Sequence, residues 1–369
     1  MHVGAAVIFQ NTDKTRSDRE VYADDLTLVD AVEPLGYESV WGVEHHFTDY
    51  TMCPDPYQFL SYCAGRTTTA KLGSMVVVLP WHDPLRAAEE ISMLDNLSGG
   101  RVILGIGRGA GKIEFDGFRQ SMEDSRPRFV EAASAVLEAL ESGYIEADGE
   151  FVKQPRIPIR PAPFETFRGR TYAAVVSPES SQIMAKLGIG ILVIPQKPWD
   201  TVEAELVAYR DLFRATNGAE APPPVTAGWV FCDEDKERAA EMAVKYIGGY
   251  WQSVLDHYQF AGEHLKNMKG YEYYGKFAEA IACHGADAAT QFFVDLQIWG
   301  TPEMCYERIR EISDRTGADS FVGVFSYAGM PISEAQRNMR LFAEKVVPRL
   351  KELPAAATRP AARTYGAVA

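Results

Sequence analysis

The run Glu44-His45-His46-Phe47 places a carboxylate and two imidazoles at the end of a short apolar segment, Ser39-Val40-Trp41-Gly42-Val43. Only seven histidines occur in 369 residues, so two side by side at a strand exit mark a place to look for chemistry. Imidazole titrates near neutral pH, which suits it to moving protons. A second candidate is Gly105-Ile106-Gly107-Arg108-Gly109-Ala110, again after an apolar run. Its glycines let backbone approach a ligand closely, and the Arg108 guanidinium can grip an anion through two parallel hydrogen bonds. A third is Ser177-Pro178-Glu179-Ser180-Ser181. Ser177 suits an N-cap and Pro178 the first helical position. The amides of such a helix end, with the Ser177 and Ser180 hydroxyls, can hold a phosphate.

Each pattern also has a plainer reading. Gly105 to Ala110 satisfies the G-x-G-x-x-A form of a dinucleotide fingerprint, which belongs on a first strand and needs a helix to open at once. Here the motif begins only at residue 105, and no convincing apolar helical stripe follows before Val130, beyond Gly117 and Pro127. A tight turn with Arg108 salt-bridged at the surface stays open, as does simple capping at Ser177. Two anion-binding patterns on one rim favour a phosphate over either alone. The histidine pair could be one core and one surface residue. A metal site on His45, His46 and Asp49 or Asp55 has no H-x-H or H-E-x-x-H spacing behind it. Adjacent strand residues also face opposite ways, so no metal is expected. The cysteines, Cys53, Cys63, Cys232, Cys283 and Cys305, are scattered without a C-x-x-C pair and read as reduced, mostly buried thiols.

The elements that must position these groups follow from periodicity. Short β-branched runs at 3–9, 39–43, 72–79, 101–106, 170–176, 190–194, 225–231 and 320–325 alternate with helical stretches. Prolines 54, 84, 178 and 302 precede or open helices, and a Pro-rich stretch over 146–163 reads as a surface hairpin or loop. The pattern predicts an α/β fold, a (β/α)8 TIM barrel with an insertion near the C-terminal face. The candidate motifs all fall at strand C-terminal ends, where such barrels carry their chemistry. A single barrel domain over 1–350 is expected, with a lid-like insertion at about 250–293 and a flexible tail over 351–369.

Composition bounds the partners. A formal charge of −14 and a pI near 5.1 argue against nucleic acid or an anionic membrane surface, which demand clustered Lys and Arg. No apolar run approaches a membrane span, and the chain begins with a strand rather than a cleavable leader, so a cytoplasmic location is expected.

Lined up, these residues resemble the bacterial-luciferase-like flavin monooxygenases over about residues 3 to 350. The likeness is densest in Gly36-Tyr37-Glu38-Ser39-Val40-Trp41-Gly42-Val43-Glu44-His45-His46-Phe47, in Leu72 to Pro80, in Leu94-Asp95-Asn96-Leu97-Ser98-Gly99-Gly100-Arg101 and in Gly105 to Gly109. The resemblance implies an enzyme in which reduced FMN (FMNH2) and O2 oxygenate a small apolar organic substrate through a C4a-hydroperoxide. It makes His45 the active-site histidine handling protons, with His46 and Glu44 supporting it. Arg108 matches the arginine on the flavin phosphate, and Val176, Ser177, Glu179 and Ser180 form the turn around the same group. Met75-Val76 matches the place of a non-prolyl cis peptide beneath the flavin ring. Gly107 stands where luciferase proper carries a cysteine, which should open space and gives no support to light emission.

Further expectations attach to that resemblance. Aromatic residues Phe9, Trp81, Trp229 and Tyr327 would line a mouth that excludes water. Without a second nucleotide-binding domain, reduced flavin would come from a separate NAD(P)H:flavin reductase. A homodimer is expected through the helices after Pro54 and Pro84. Two other readings compete: an F420-dependent oxidoreductase transferring hydride, and a non-catalytic flavin-binding relative.

Overall fold

The computed structural model describes residues 1–175, 177–259, 271 and 285–354. Eight parallel strand positions close into a barrel. They are β1 (His2–Ala6), β2 (Ser39–Gly42), the broken pair β3 (Lys71–Ser74) and β4 (Val77–Val78), β5 (Val102–Gly107), β8 (Thr171–Ala174), β9 (Gly190–Val193), β10 (Val225–Cys232) and β12 (Ser320–Val324). β12 pairs β1 and β10, and β9 pairs β10, which closes the ring. The TIM barrel expected from the strand count is the fold. Among the described residues no helix is long and apolar enough to cross a membrane.

The helices between strands start and stop on local chemistry. α1 (Asp18–Ala31) opens with a capping box in which Ser17 and Glu20 satisfy each other's amides. α2 (Pro56–Ala64) and α3 (Pro84–Ser98) each follow an aspartate cap, Asp55 and Asp83, with proline in the first turn. Gly99 ends α3 at φ +66°, a conformation other L residues adopt at a cost.

Inside the barrel, small residues make room for one large one. A Cβ at Gly4 would fall 2.8 Å from Trp41 Nε1, and one at Gly73 would fall 2.2 Å from the Trp41 ring. Trp41 thus fills the space between β1 and β3, fully buried, with its indole N–H donated to Ser39 Oγ at 2.8 Å.

The third strand departs from the expected unbroken run. Leu72 pairs Val102 but Val77 pairs Ile106, a slip of one residue, and the Met75–Val76 peptide between them is cis. The Pro-rich stretch is an antiparallel hairpin of β6 (Tyr144–Asp148) and β7 (Lys153–Pro158). After β10 the chain runs through further helices, described below, and a three-residue strand, β11 (Ile298–Gly300), which pairs the end of β10. Of the lid-like region expected over 250–293, residues 260–270 and 272–284 lie outside the described residues, as do tail residues 355–369.

Candidate active site

The C-terminal ends of the strands surround a cavity of about 200 Å³, lined in part by Val43, Glu44, His45, Met75, Val76, Arg108, Ser177 and Ser180. Seven positions named from the sequence therefore meet in one space: Glu44, His45, Met75, Val76, Arg108, Ser177 and Ser180 count among its walls. Val176 lies outside the described residues. Two positions behave otherwise. His46 does not line the cavity; its ring packs against Phe118 and Trp81, and its Nε2 lies 3.1 Å from Glu44. Glu179 leaves most of its side chain in solvent, with its carboxylate 4.0 Å from Arg126.

Glu44 is a buried hub. Its Oε1 lies 3.1 Å from His46 Nε2 and 2.8 Å from His82 Nε2, and its Oε2 accepts the Val78 amide at 2.7 Å. Burial alone would raise its carboxyl, but the bonds from His46, His82 and Val78 outweigh this and lower it. The same contact raises His82, against the downward pull of its own burial. Glu44 thus ties the β2 exit to the β4 exit and sets the loop geometry around His45.

His45 has a partner that sequence reasoning missed. Its Nδ1 lies 3.0 Å from Glu114 Oε1, which also accepts the His46 amide at 2.9 Å. Glu114 sits in the first turn of α4 (Lys112–Phe118). That helix opens directly after the glycine-rich turn, where the sequence showed no helical stripe; Gly111 and Gly117 hid it. A Cβ at Gly111 would fall 2.4 Å from Glu114 Oε2, so the glycine is what admits the carboxylate. Burial pushes Glu114 up, but the imidazoles of His45 and His257 outweigh it and hold the carboxyl at about 2. One ring nitrogen each of His45 and His257 and one carboxylate oxygen of Glu114 lie within 4.8 Å of one another. Because an ionised carboxylate only accepts, His45 Nδ1 carries the proton of their bond, and the group is held by shared protons.

The anion side is richer than expected. Arg108 stacks its guanidinium 4.0 Å above the Tyr271 ring, and the Tyr271 hydroxyl donates to the Gly109 carbonyl at 2.9 Å. Arg126, on the first turn of α5 (Ser125–Ser142), lines the same cavity. Its Nε and Nη2 are buried with no hydrogen-bond partner among the described residues. Buried guanidinium donors in that state call for an anion. Ser177 caps α6 (Pro178–Leu187) by accepting the Ser180 amide, and the two hydroxyls lie 3.0 Å apart. Two arginines, two hydroxyls and a helix N-terminus together can hold an anion.

The apolar side is built from aromatic rings. Trp229 on β10 packs against Tyr250, with centroids 4.3 Å apart, and Trp251 stacks on Phe293 at 4.5 Å. Tyr250, Trp251 and Tyr258 come from α9 (Gly248–Tyr258), which continues α8 (Lys236–Met242), and Phe293 from α10 (Ala286–Leu296). Of the four aromatics expected there, Trp81 and Trp229 line the cavity. Phe9 and Tyr327 do not: Phe9 stacks on Tyr22 in the core, and the Tyr327 hydroxyl donates to the Val230 carbonyl. Nor does Gly107 open space. A Cβ there would fall 2.3 Å from Val76 Cγ2, so Val76 already occupies the vacated room.

Two arginines with two serine hydroxyls, a histidine–carboxylate group and an aromatic wall share this barrel mouth, and the luciferase-like monooxygenase family matches residues 1–320. The chain belongs to that family. This luciferase-like monooxygenase is 28% identical over 344 residues to the alkanal monooxygenase alpha chain of Photobacterium leiognathi, covering 91% of this chain and 95% of that one. The monooxygenase RslO1 of Streptomyces bottropensis superposes with a TM-score of 0.79 at 26% identity, covering 95% and 99% of the two chains. Two solved structures below 25% identity share the fold. The oxygenating constituent of 3,6-diketocamphane monooxygenase from Pseudomonas putida, solved with FMN, gives 18% and a TM-score of 0.72, over 95% and 98%. The F420-dependent tetrahydromethanopterin reductase of Methanopyrus kandleri gives 20% and 0.64, over 95% and 100%.

Proposed function

We propose that this monooxygenase uses reduced FMN and O2 to oxygenate a small apolar organic substrate, with flavin delivered by a separate NAD(P)H:flavin reductase. The observation that carries the reading is Arg126, in the cavity that Arg108, Ser177, Ser180 and His45 also line. Its buried Nε and Nη2 make no hydrogen bond among the described residues, and the exposed Glu179 carboxylate stands 4.0 Å from Nη2. Arg108, Arg126 and the two serines would hold the phosphate, and Met75 and Val76 would support the ring. Bound reduced flavin supplies the electrons that activate O2. The chain's own residues do the rest. The aromatic wall of Trp229, Tyr250 and Trp251 keeps water from the reacting atoms. His45 exchanges a proton with them at Nε2, while Glu114 holds Nδ1 and fixes the ring's tautomer and angle. Glu44 and His46 hold the loop that carries His45.

F420 is the competing cofactor. Its phosphate is a diester with one charge, whereas the FMN monoester carries two, and a pair of guanidiniums matches the dianion. Equilibrium binding of FMN, riboflavin and F420 tests this; tighter binding of F420 than of FMN would overturn it.

A homodimer completes the proposal. On α3, Ala87, Ala88, Ile91 and Leu94 are buried in the subunit's own core, but Met93 and Leu97 stand exposed, as does Tyr62 on α2. Exposed apolar side chains on two neighbouring helices support self-association.

A further inference from the structure

His257 belongs to no part of the flavin or substrate walls, yet it is an almost fully buried imidazole pressed against the proton group. It lies on α9, and its Nε2 is 3.5 Å from Glu114 Oε1, on the carboxylate that His45 also uses. Its ring stacks on Tyr50 with centroids 4.6 Å apart, and it meets the His45 ring edge-on at 5.0 Å. On its far side, Thr48 Oγ1 lies 2.8 Å from Nδ1. The Gly111 position that admits Glu114 admits this ring too, since a Cβ there would fall 3.1 Å from His257 Nε2.

Protons can be assigned by elimination. At 3.5 Å Nε2 approaches the carboxylate without a hydrogen bond of ordinary geometry, but an ionised carboxylate there accepts only, so the single N–H of a neutral His257 is favoured on Nε2 and the Thr48 hydroxyl donates to Nδ1. Burial lowers His257, opposed by the Glu114 carboxylate beside it and helped by His45. Among the described residues the titratable groups facing it are Glu114 from α4, His45 and Tyr50 from the β2 exit, and Tyr258 next to it on α9.

We propose that His257 is a positioning residue for His45: it shares the Glu114 carboxylate from the opposite side, so the three groups hold one added proton rather than two. An unshared carboxylate would bind the His45 imidazolium too tightly and hold its proton in place. With half the carboxylate's attention on His257, His45 can release a proton at Nε2, which faces the Tyr258 hydroxyl at 3.4 Å. No bond other than N–H and O–H bonds changes, and no other reactant is needed. The inference rests on the reading of His45 as the proton-handling group.

Histidine-selective 15N NMR on the flavin-free chain tests it, with His45 assigned from His45→Gln. His257→Leu removes the second claimant on Glu114 and should move the His45 titration midpoint up by about one pH unit. His257→Gln keeps an N–H donor toward Glu114 and should move it by less than half as much. If the leucine variant does not fold, Thr48→Val, which unsets the His257 tautomer, should move His45 in the same direction by a smaller amount. An unmoved midpoint in the folded variants overturns the proposal. The functional reading is judged apart. An active enzyme whose His45 does not move sinks this inference alone, and a shifting His45 in a protein without oxygenase turnover sinks the functional reading alone.

Discussion

Glu114 Oε1 stands 3.0 Å from His45 Nδ1 across 69 positions of sequence, and the same oxygen accepts the backbone amide of His46. One carboxylate therefore fixes both the ring and the loop of the site histidine. Side chain and backbone are held from α4, an element that exists because glycines at 111 and 117 tolerate close neighbours on either side.

That carboxylate should make stability depend on acid. Its folded value of about 2 lies below the ordinary 4.5, so its contribution is present above about 4.5 and lost as pH falls through about 2. Glu114→Gln should cost about 3 kcal/mol or less at pH 7, and the gap between variant and parent should close toward pH 2. Urea unfolding at pH 7, 5 and 3 measures it; a gap that grows on acidification would contradict the assignment.

Arg126 should matter for the phosphate and not for the ring. Arg126→Ala removes a charge-assisted contact, so FMN affinity should fall about 10- to 100-fold while riboflavin affinity stays put. Fluorescence titration with both ligands decides it, and equal losses for the two would place Arg126 elsewhere.

The space at residue 107 belongs to Val76. Gly107→Ala should destabilise by about 1–3 kcal/mol, because its Cβ would press on Val76 Cγ2. In the Gly107→Ala/Val76→Ala pair the nearest remaining Val76 atom, Cβ, is 3.4 Å away, an ordinary contact. The double variant should be more stable than the two single losses summed. Thermal melts of the four proteins give the answer, and strict additivity would count against the overlap.

The exposed pair on α3 should govern assembly. Met93→Glu and Leu97→Glu should shift a dimer to monomer in light scattering, with the circular dichroism spectrum unchanged. A parent chain that is already monomeric at micromolar concentration would end the dimer proposal.

Much of the barrel was legible because its signals are local. Eight apolar runs and proline- or glycine-marked helix ends are written in neighbouring residues, and barrel architecture then places Glu44, His45, Arg108 and Ser177 on one rim. What escaped depended on distant partners or on very short elements. Arg126 reads as an ordinary residue before Pro127, and only the fold sets it beside Arg108. His257 is one of seven histidines and lies far from the pair it serves. α4 was masked by its glycines, and β11, with three residues, is too short to show a period. The direction of the His46 ring was not legible for a related reason: β2 stops at Gly42, so strand alternation no longer decides where the next side chains point. A glycine at 107 suggested empty room because its neighbour across the slipped third strand was invisible in one dimension.

The central claim is that this barrel holds reduced FMN and directs its reaction with oxygen. Protein and reduced FMN mixed without air, then exposed to O2 in a stopped-flow spectrometer, test it most directly. The account predicts that the oxidised-flavin spectrum returns at least tenfold more slowly than for free FMN, and that His45→Ala changes this time course while leaving FMN affinity nearly intact. A return superimposable on that of free FMN would contradict it.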